Sequence, residues 1–395
     1  ILDVNRDGKF DIVCGGFWYE APTWTKHFVR EIKEEGEYHY DFANLPMDVD
    51  GDGWTDTAGA AWHDKMVYWV RNPGQAGGPW TLHQVDTPGN METALAYDIN
   101  GDGQLDILPN IMSAAAWYEY RRDASAPQSV RWDKHVLPQE AAGHGIGAGD
   151  VNVDGLCDIV TPKGWLQQNP NGSWTWRPEF ELGYAGIPIL VHDVDADGDS
   201  DLIWGLGHNY GLFWMEQNKD AQGNRTWAKH LIDDSWSQPH FKLLADLDND
   251  RRLELVTGKR HRAHNGNDPG GNDPVCVYYY DFDIASGKWT LLTISVTEDE
   301  IRGIGGENIV GAYAAMKYFQ SLPNDNNKKF VAAFKAMWGK DIVIGDVTQA
   351  AYLGPWLWKA AVEKAGSFDI PAVRKASPGI ELKTAPEGYV RIHEN

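Results

Sequence analysis

From Ile1 to about residue 296 the chain alternates short apolar or aromatic runs with clusters of Asp, Asn and Gly, a pattern of β-strands broken by tight turns. Four such runs make one unit. The first ends at an Asp, the second leaves another Asp eight residues on (Asp106-Ile-Leu, Asp158-Ile-Val, Asp201-Leu-Ile), the third is aromatic and the fourth is led by Trp. The aromatic runs are Trp18-Tyr19, Tyr68-Trp69, Trp117-Tyr118, Trp165, Phe213-Trp214 and Tyr278-Tyr279-Tyr280. The fourth runs start at Trp24, Trp80, Trp132, Trp174, Trp227 and Trp289, and four of them reach a histidine three residues later, at His27, His83, His135 and His230. After residue 296 this pattern stops. Apolar residues at three- and four-residue spacing then predict helices over Glu307–Leu322, Asn326–Trp338, Val347–Ala365 and Ile370–Ala376, followed by a strand at Tyr389–Ile392.

The unit recurs six times, its acidic segment starting at Asp3, Asp48, Asp98, Asp150, Asp193 and Asp246, at intervals of 45, 50, 52, 43 and 53 residues. Four strands in a period of that size are the signature of a propeller blade. The expected fold is an all-β propeller over 1–296, followed by a small, mainly α-helical segment over 297–395. Small residues before the acidic segments (Ala43, Ala94, Ala96, Gly145, Gly147, Ala245) suit an innermost strand, where blades crowd the axis. The first unit lacks that strand because the sequence begins inside its acidic segment. Six blades are therefore visible in an N-terminally truncated ring, and seven are expected if it is complete. Nineteen Trp and 42 Gly fit aromatic-packed strands joined by tight turns.

The acidic segment reads D-x-[DN]-x-D-G-x-x-D, with oxygen donors at positions 1, 3, 5 and 9 and a turn glycine at 6. Such residues make ordinary turns as well, but carboxylates converging within nine residues repel one another without a cation, and one-loop oxygen ligation is the logic of calcium. The predicted ligands are Asp3, Asn5, Asp7 and Asp11; Asp48, Asp50, Asp52 and Asp56; Asp98, Asn100, Asp102 and Asp106. The remaining three loops supply Asp150, Asn152, Asp154 and Asp158; Asp193, Asp195, Asp197 and Asp201; Asp246, Asp248, Asp250 and Glu254. The sixth loop is the weakest, since Arg251 replaces the glycine and Glu254 the last Asp. The expected role of Ca²⁺, at up to six sites, is structural. Six ions would take the net charge from −22 to −10.

These loops and their spacing resemble the FG-GAP/VCBS repeat propellers, an extracytoplasmic family that includes integrin head propellers and bacterial and fungal carbohydrate-active proteins. The resemblance covers residues 1 to about 296 and implies fold, calcium and an extracytoplasmic location. Function varies widely within such folds.

The net charge of −22 has the wrong sign for gathering nucleic acid or anionic membrane. No stretch approaches the roughly 18 apolar residues that span a bilayer. Cys14, Cys157 and Cys276 lack metal-type spacing and are expected to be buried as small apolar residues. If each calcium loop joins strand one to strand two, the starts of inner strands and the loops between strands two and three share the opposite rim. Sorted in this way, His27, His83, His135 and His230 pack blade edges, while His39, His63, His144, His208, His240, His261 and His264 fall on the rim away from calcium. Lys163, Tyr210, Arg260 and Arg262 join them there, predicting a cationic, aromatic-lined mouth for a carbohydrate-like or other anionic, polar small molecule.

An elimination reading uses the same residues. Arg260 or Lys163 would neutralise a uronate carboxylate and acidify the adjacent C–H, while His144, His240 or Tyr210 takes the proton, with His208 in a loop above. The arrangement resembles propeller lyases and fungal aldos-2-ulose dehydratases in blade motif and axial histidines. The tail gives a third reading. Glu300-Ile-Arg-Gly-Ile, Tyr318-Phe-Gln-Ser, Lys328-Lys-Phe-Val-Ala-Ala-Phe-Lys, Ala350-Ala-Tyr, Leu357-Trp-Lys, Ala361-Val-Glu-Lys-Ala-Gly and Ala385-Pro-Glu-Gly resemble the C-terminal end of urea/amide-type ABC transporter solute-binding proteins. That resemblance implies a fused transport receptor, although most of both lobes of such a receptor is missing.

Overall fold

The computed structural model describes residues 1–35, 38–122, 130–247, 249–273, 275–293, 297–304, 306, 313–314 and 316–393. Asp248 lies outside the described residues, as does part of the helix expected over Glu307–Leu322. Six antiparallel sheets follow one another along the chain and form the blades of a propeller. Blade 1 has three strands, Ile12–Cys14, Phe17–Glu20 and Thr25–Phe28. Blades 2 to 5 have four strands each and begin at Leu45–Met47, Met91–Tyr97, Gly147–Gly149 and Leu190–His192. Blade 6 runs Pro239–Ala245, Glu254–Lys259, Val277–Asp283 and Lys288–Thr293, with Tyr313–Ala314 added in parallel.

The second strand of each complete blade is the most buried. Asp56–Ala61, Asp106–Ile111, Asp158–Thr161 and Asp201–Gly205 are buried at every residue, because both faces pack against neighbouring sheets. The apolar core accordingly lies between blades: Val49, Ala58 and Val67 of the second pack with Met91, Ile107 and Tyr118 of the third. Close approach at the hub also explains the small residues of the inner strands. A Cβ on Gly147 would sit 1.8 Å from the Ile189 carbonyl oxygen. At the outer edges of blades 1 to 5 the Trp-led strand closes the sheet. His27, His83, His135 and His230 stack on Trp18, Trp69, Trp117 and Trp214 of the adjoining strand, with ring centroids 4.2, 4.3, 4.2 and 4.7 Å apart.

In blades 2 to 5 the acidic loops join strand one to strand two, and their last residue serves as a clasp. Asp158 accepts the Val151 N–H at 3.0 Å and the Gln168 N–H at 2.8 Å, and Asp56, Asp106 and Asp201 repeat the pattern. The residue thus held in strand three reaches back to the preceding loop. Asn72 donates to Val4, Tyr120 to Val49, Gln168 to Ile99 and Gln217 to Val151 carbonyls.

By internal contacts the chain separates into Ile1–Val277 with Ile284–Gly287, and Tyr278–Asp283 with Lys288–Asn395. The second unit holds helices Glu298–Ile304, Asp325–Trp338, Asp346–Ala365 and Ile370–Ala376, and a hairpin of Glu381–Ala385 with Gly388–Arg391. Asn324 caps the second helix through the Asn327 N–H, and Gly366 ends the third in the left-handed region. Tyr318, Phe330 and Ile344 form its core. Two sequence expectations are corrected here. The described part of Glu307–Leu322 is not helical, since Tyr313–Ala314 pairs as a strand with Lys288–Thr293 and residues 316–322 are turn and irregular backbone. Cys14 is exposed rather than buried, because it sits at the end of a strand in the three-stranded first blade, while Cys157 and Cys276 are half-buried.

Candidate functional site

The starts of inner strands converge on the rim opposite the acidic loops, and two of them carry bulges. In blade 3 the register slips between Met91 and Ala94, so the Glu92 and Thr93 N–H groups leave the ladder and both donate to Asn110 Oδ1 at 2.9 Å. In blade 6 it slips between Pro239 and Phe241, at His240. A bulge re-aims the side chain it carries, and here the two bulged residues meet. His240 Nε2 lies 3.0 Å from Glu92 Oε2. His144, just before the inner strand of blade 4, brings its Nε2 to 2.7 Å from the same oxygen and 3.3 Å from His240 Nε2. His208, between strands two and three of blade 5, completes the group with Nε2 3.0 Å from that of His144.

Fully buried Asn110 ties the cluster together, since its Nδ2 donates to the His144 carbonyl while its oxygen holds the bulge of Glu92. Gly207 makes room for the rings. A Cβ there would lie 2.8 Å from His240 Cδ2 and 3.1 Å from His144 Cε1.

Outer partners fix the tautomers. His144 Nδ1 is 2.8 Å from the Ala185 carbonyl oxygen, which only accepts, so Nδ1 carries a hydrogen. His208 Nδ1 is 2.8 Å from Asp268 Oδ2 and equally far from an Arg260 nitrogen. One ring nitrogen cannot donate and accept at once. Pairing with Asp268 puts the hydrogen on Nδ1, the tautomer taken here, and Arg260 also serves that carboxylate at 3.5 Å; pairing with Arg260 would put it on Nε2. His264 stacks on His208 at 4.6 Å and hydrogen bonds Asp268 Oδ1 at 2.8 Å. Its loop is strained, with Arg262, His264 and Asn265 all at positive φ. Burial pushes the Glu92 carboxyl up, but the imidazoles of His144 and His240 against it outweigh this and hold it well below the usual range. Burial also takes His240 down to about 4 and lowers His208, against the pull of Glu92 and Asp268 respectively.

Of the eleven rim residues expected from sequence, His144, His208, His240, His264 and Arg260 come together. Lys163 is exposed and shares with His144 and Tyr184 a cavity of about 350 Å³. Tyr210 is turned to Asp273, at 2.7 Å. His39 faces Glu34 at 3.3 Å, His63 stacks on Tyr40 at 4.3 Å, and His261 and Arg262 stay exposed in their loop. The mouth is also less cationic than its basic residues suggest, because Glu92 and Asp268 stand inside it. Both acids lie outside any repeat. A charged residue beside Met91 at the start of an otherwise small and apolar strand was the signal available for Glu92.

The acidic loops fit a hard cation in part. Carboxylate oxygens of Asp48, Asp50 and Asp56, and of Asp193, Asp195 and Asp197, each lie within 4.8 Å of one another. In the sixth loop Arg251 adopts the left-handed φ of +75° that Gly8, Gly53, Gly103, Gly155 and Gly198 occupy elsewhere.

Comparison with known proteins matches residues 48–108 to the FG-GAP-like repeat family and residues 273–395 to a periplasmic binding protein domain. No curated protein matches the chain significantly. Among solved structures, a lectin of Agrocybe aegerita, described as recognising non-reducing terminal N-acetylglucosamine, is 19% identical over 70% of this chain and 78% of its own, with a TM-score of 0.44. The V. cholerae biofilm matrix protein Bap1 is 14% identical over 63% and 39%, with a TM-score of 0.29. Likeness at these scores does not bear on ligand or activity. The propeller thus carries FG-GAP-like repeats and is followed by a segment of periplasmic-binding-protein type. Among the described residues, no helix is long and apolar enough to cross a membrane.

Proposed function

We propose that the propeller is an extracytoplasmic binding module for an oxygen-rich polar small molecule, of carbohydrate or uronate type, taken up where its inner strands begin. The observation that carries this is the convergence of Glu92, His144, His208 and His240 from four different blades, beside a cavity lined by Lys163. Side chains drawn from separate blades to one point are dear to assemble for stability alone, since three imidazoles and a carboxylate bury little apolar surface there. Lys163 supplies an exposed cation for a carboxylate or a donor for hydroxyls. Binding is favoured over β-elimination by Tyr210 and Arg260, which are committed to Asp273 and Asp268 and so leave elimination only Lys163 with His144 or His240. The periplasmic-type C-terminal match supports the extracytoplasmic location. On the opposite rim the acidic loops would hold calcium in a structural role.

The test is calorimetry of the full chain against neutral and uronate oligosaccharides, with absorbance of any unsaturated product followed in parallel. Binding to at least one class is expected, weakened about tenfold or more by Lys163→Ala. Absence of heat with every class, or an unaffected Lys163→Ala variant, overturns the reading.

A further inference from the structure

The geometry points to a divalent transition-metal site, of the zinc class, held by Glu92 Oε2 and the Nε2 atoms of His144, His208 and His240. All four atoms lie within 4.8 Å of one another, with separations of 2.7, 3.0, 3.0 and 3.3 Å among neighbours. A tetrahedral ion about 2.0–2.1 Å from its donors separates them by about 3.3 Å, so the cluster has the span of such a shell.

Proton counting leads to the same place. The Nδ1 hydrogen of His144 is committed to Ala185 O, and that of His208 to Asp268 in the tautomer the carboxylate selects, which leaves each neutral ring a bare Nε2. Those two lone pairs face each other at 3.0 Å, and the His144 lone pair faces a carboxylate oxygen at 2.7 Å. Lone pairs at those distances repel unless a metal ion or a proton lies between them. A ring donating Nδ1–H to a carbonyl or carboxylate while its Nε2 points inward is the outer-shell arrangement that orients metal-binding histidines. Nitrogen donors with one carboxylate select a borderline ion over the hard calcium of the opposite rim.

Three neutral imidazoles and one carboxylate would leave the centre with a net positive charge. It could draw in ligand hydroxyl or carboxylate oxygens beside Lys163. This role toward a ligand rests on the binding function proposed above, while occupancy by metal does not.

The experiment is titration of Zn²⁺, and separately Co²⁺, into full-length protein freed of metal by chelator and resupplied with Ca²⁺. One Zn²⁺ per chain is expected to bind tightly with calcium present. Co²⁺ should give the intense visible absorption of a tetrahedral, nitrogen-rich site. His208→Ala should weaken Zn²⁺ binding more than 100-fold. Asp268→Asn, a positioning change that leaves all four donors in place, should weaken it about 10- to 100-fold and alter the cobalt spectrum. Circular dichroism identifies any variant that fails to fold, and Asp268→Asn is then the one read. A weak octahedral cobalt spectrum, or Zn²⁺ affinity that neither variant changes, overturns the site. It would leave a protonated His144 paired with Glu92 as the account of the cluster. Because no sugar is present, failure here is distinct from failure of the ligand-binding reading.

Discussion

At the scale of single residues, what the sequence reveals depends on whether a residue repeats. His144 and His240 could be placed at the axis because each starts an inner strand in a counted blade, and His208 followed from the alternation of ends. Glu92, Asn110 and Asp268 could not, since their roles come from a bulge, a buried amide and a strained loop that no period encodes. Arg251 shows the converse, a departure from the repeat with a readable consequence. It takes φ +75° where five other loops place glycine between +83° and +92°. A side chain in that region costs about 1 kcal/mol or more relative to glycine. Arg251→Gly should therefore stabilise the protein by about 1 kcal/mol in urea unfolding, and a destabilised variant would show that the arginine side chain contributes more than its backbone costs.

At the scale of elements, strands and turns were legible because alternating apolar runs and Asp-Gly turns follow from side-chain period and backbone geometry alone. The clasp was not, because it joins loop to strand and blade to blade over distances such as Gln168 to Ile99. Its energetics follow from burial. Asp158 is fully buried, and its oxygens accept from two buried backbone donors, Val151 and Gln168. Asp158→Ala leaves both donors unpaired, at about 1–3 kcal/mol each, so a loss of about 2–6 kcal/mol is expected in urea unfolding without added calcium. Asp154→Ala in the same loop, on an exposed side chain whose bonds are local, should cost less than about 1 kcal/mol under those conditions. Equal losses in the two variants would mean that the last Asp acts with the loop rather than as a fastening of strand three.

At the scale of the whole molecule, charge and fold are the same question. The acidic loops carry 21 carboxylates in a chain whose net charge is −22, and in blades 2 to 5 the propeller brings them to one rim because each loop joins the first two strands of its blade. Hydrogen bonds from the loops' own N–H groups, such as Gly155 to Asp150 and Gly198 to Asp193, orient these oxygens but do not neutralise them. Two outcomes separate simple repulsion from ligation. Repulsion among exposed carboxylates is screened by any salt, with a Debye length of about 8 Å at physiological strength, so sodium and calcium chloride at equal ionic strength would then raise the melting temperature equally. Ligation is specific: one site at 100 times its dissociation constant adds about 2.7 kcal/mol, which for a unit of this size is on the order of 5 °C. We expect Ca²⁺ to exceed matched sodium by at least that margin, and EGTA to remove the excess. Indistinguishable salts would show that these loops are held by their hydrogen bonds alone.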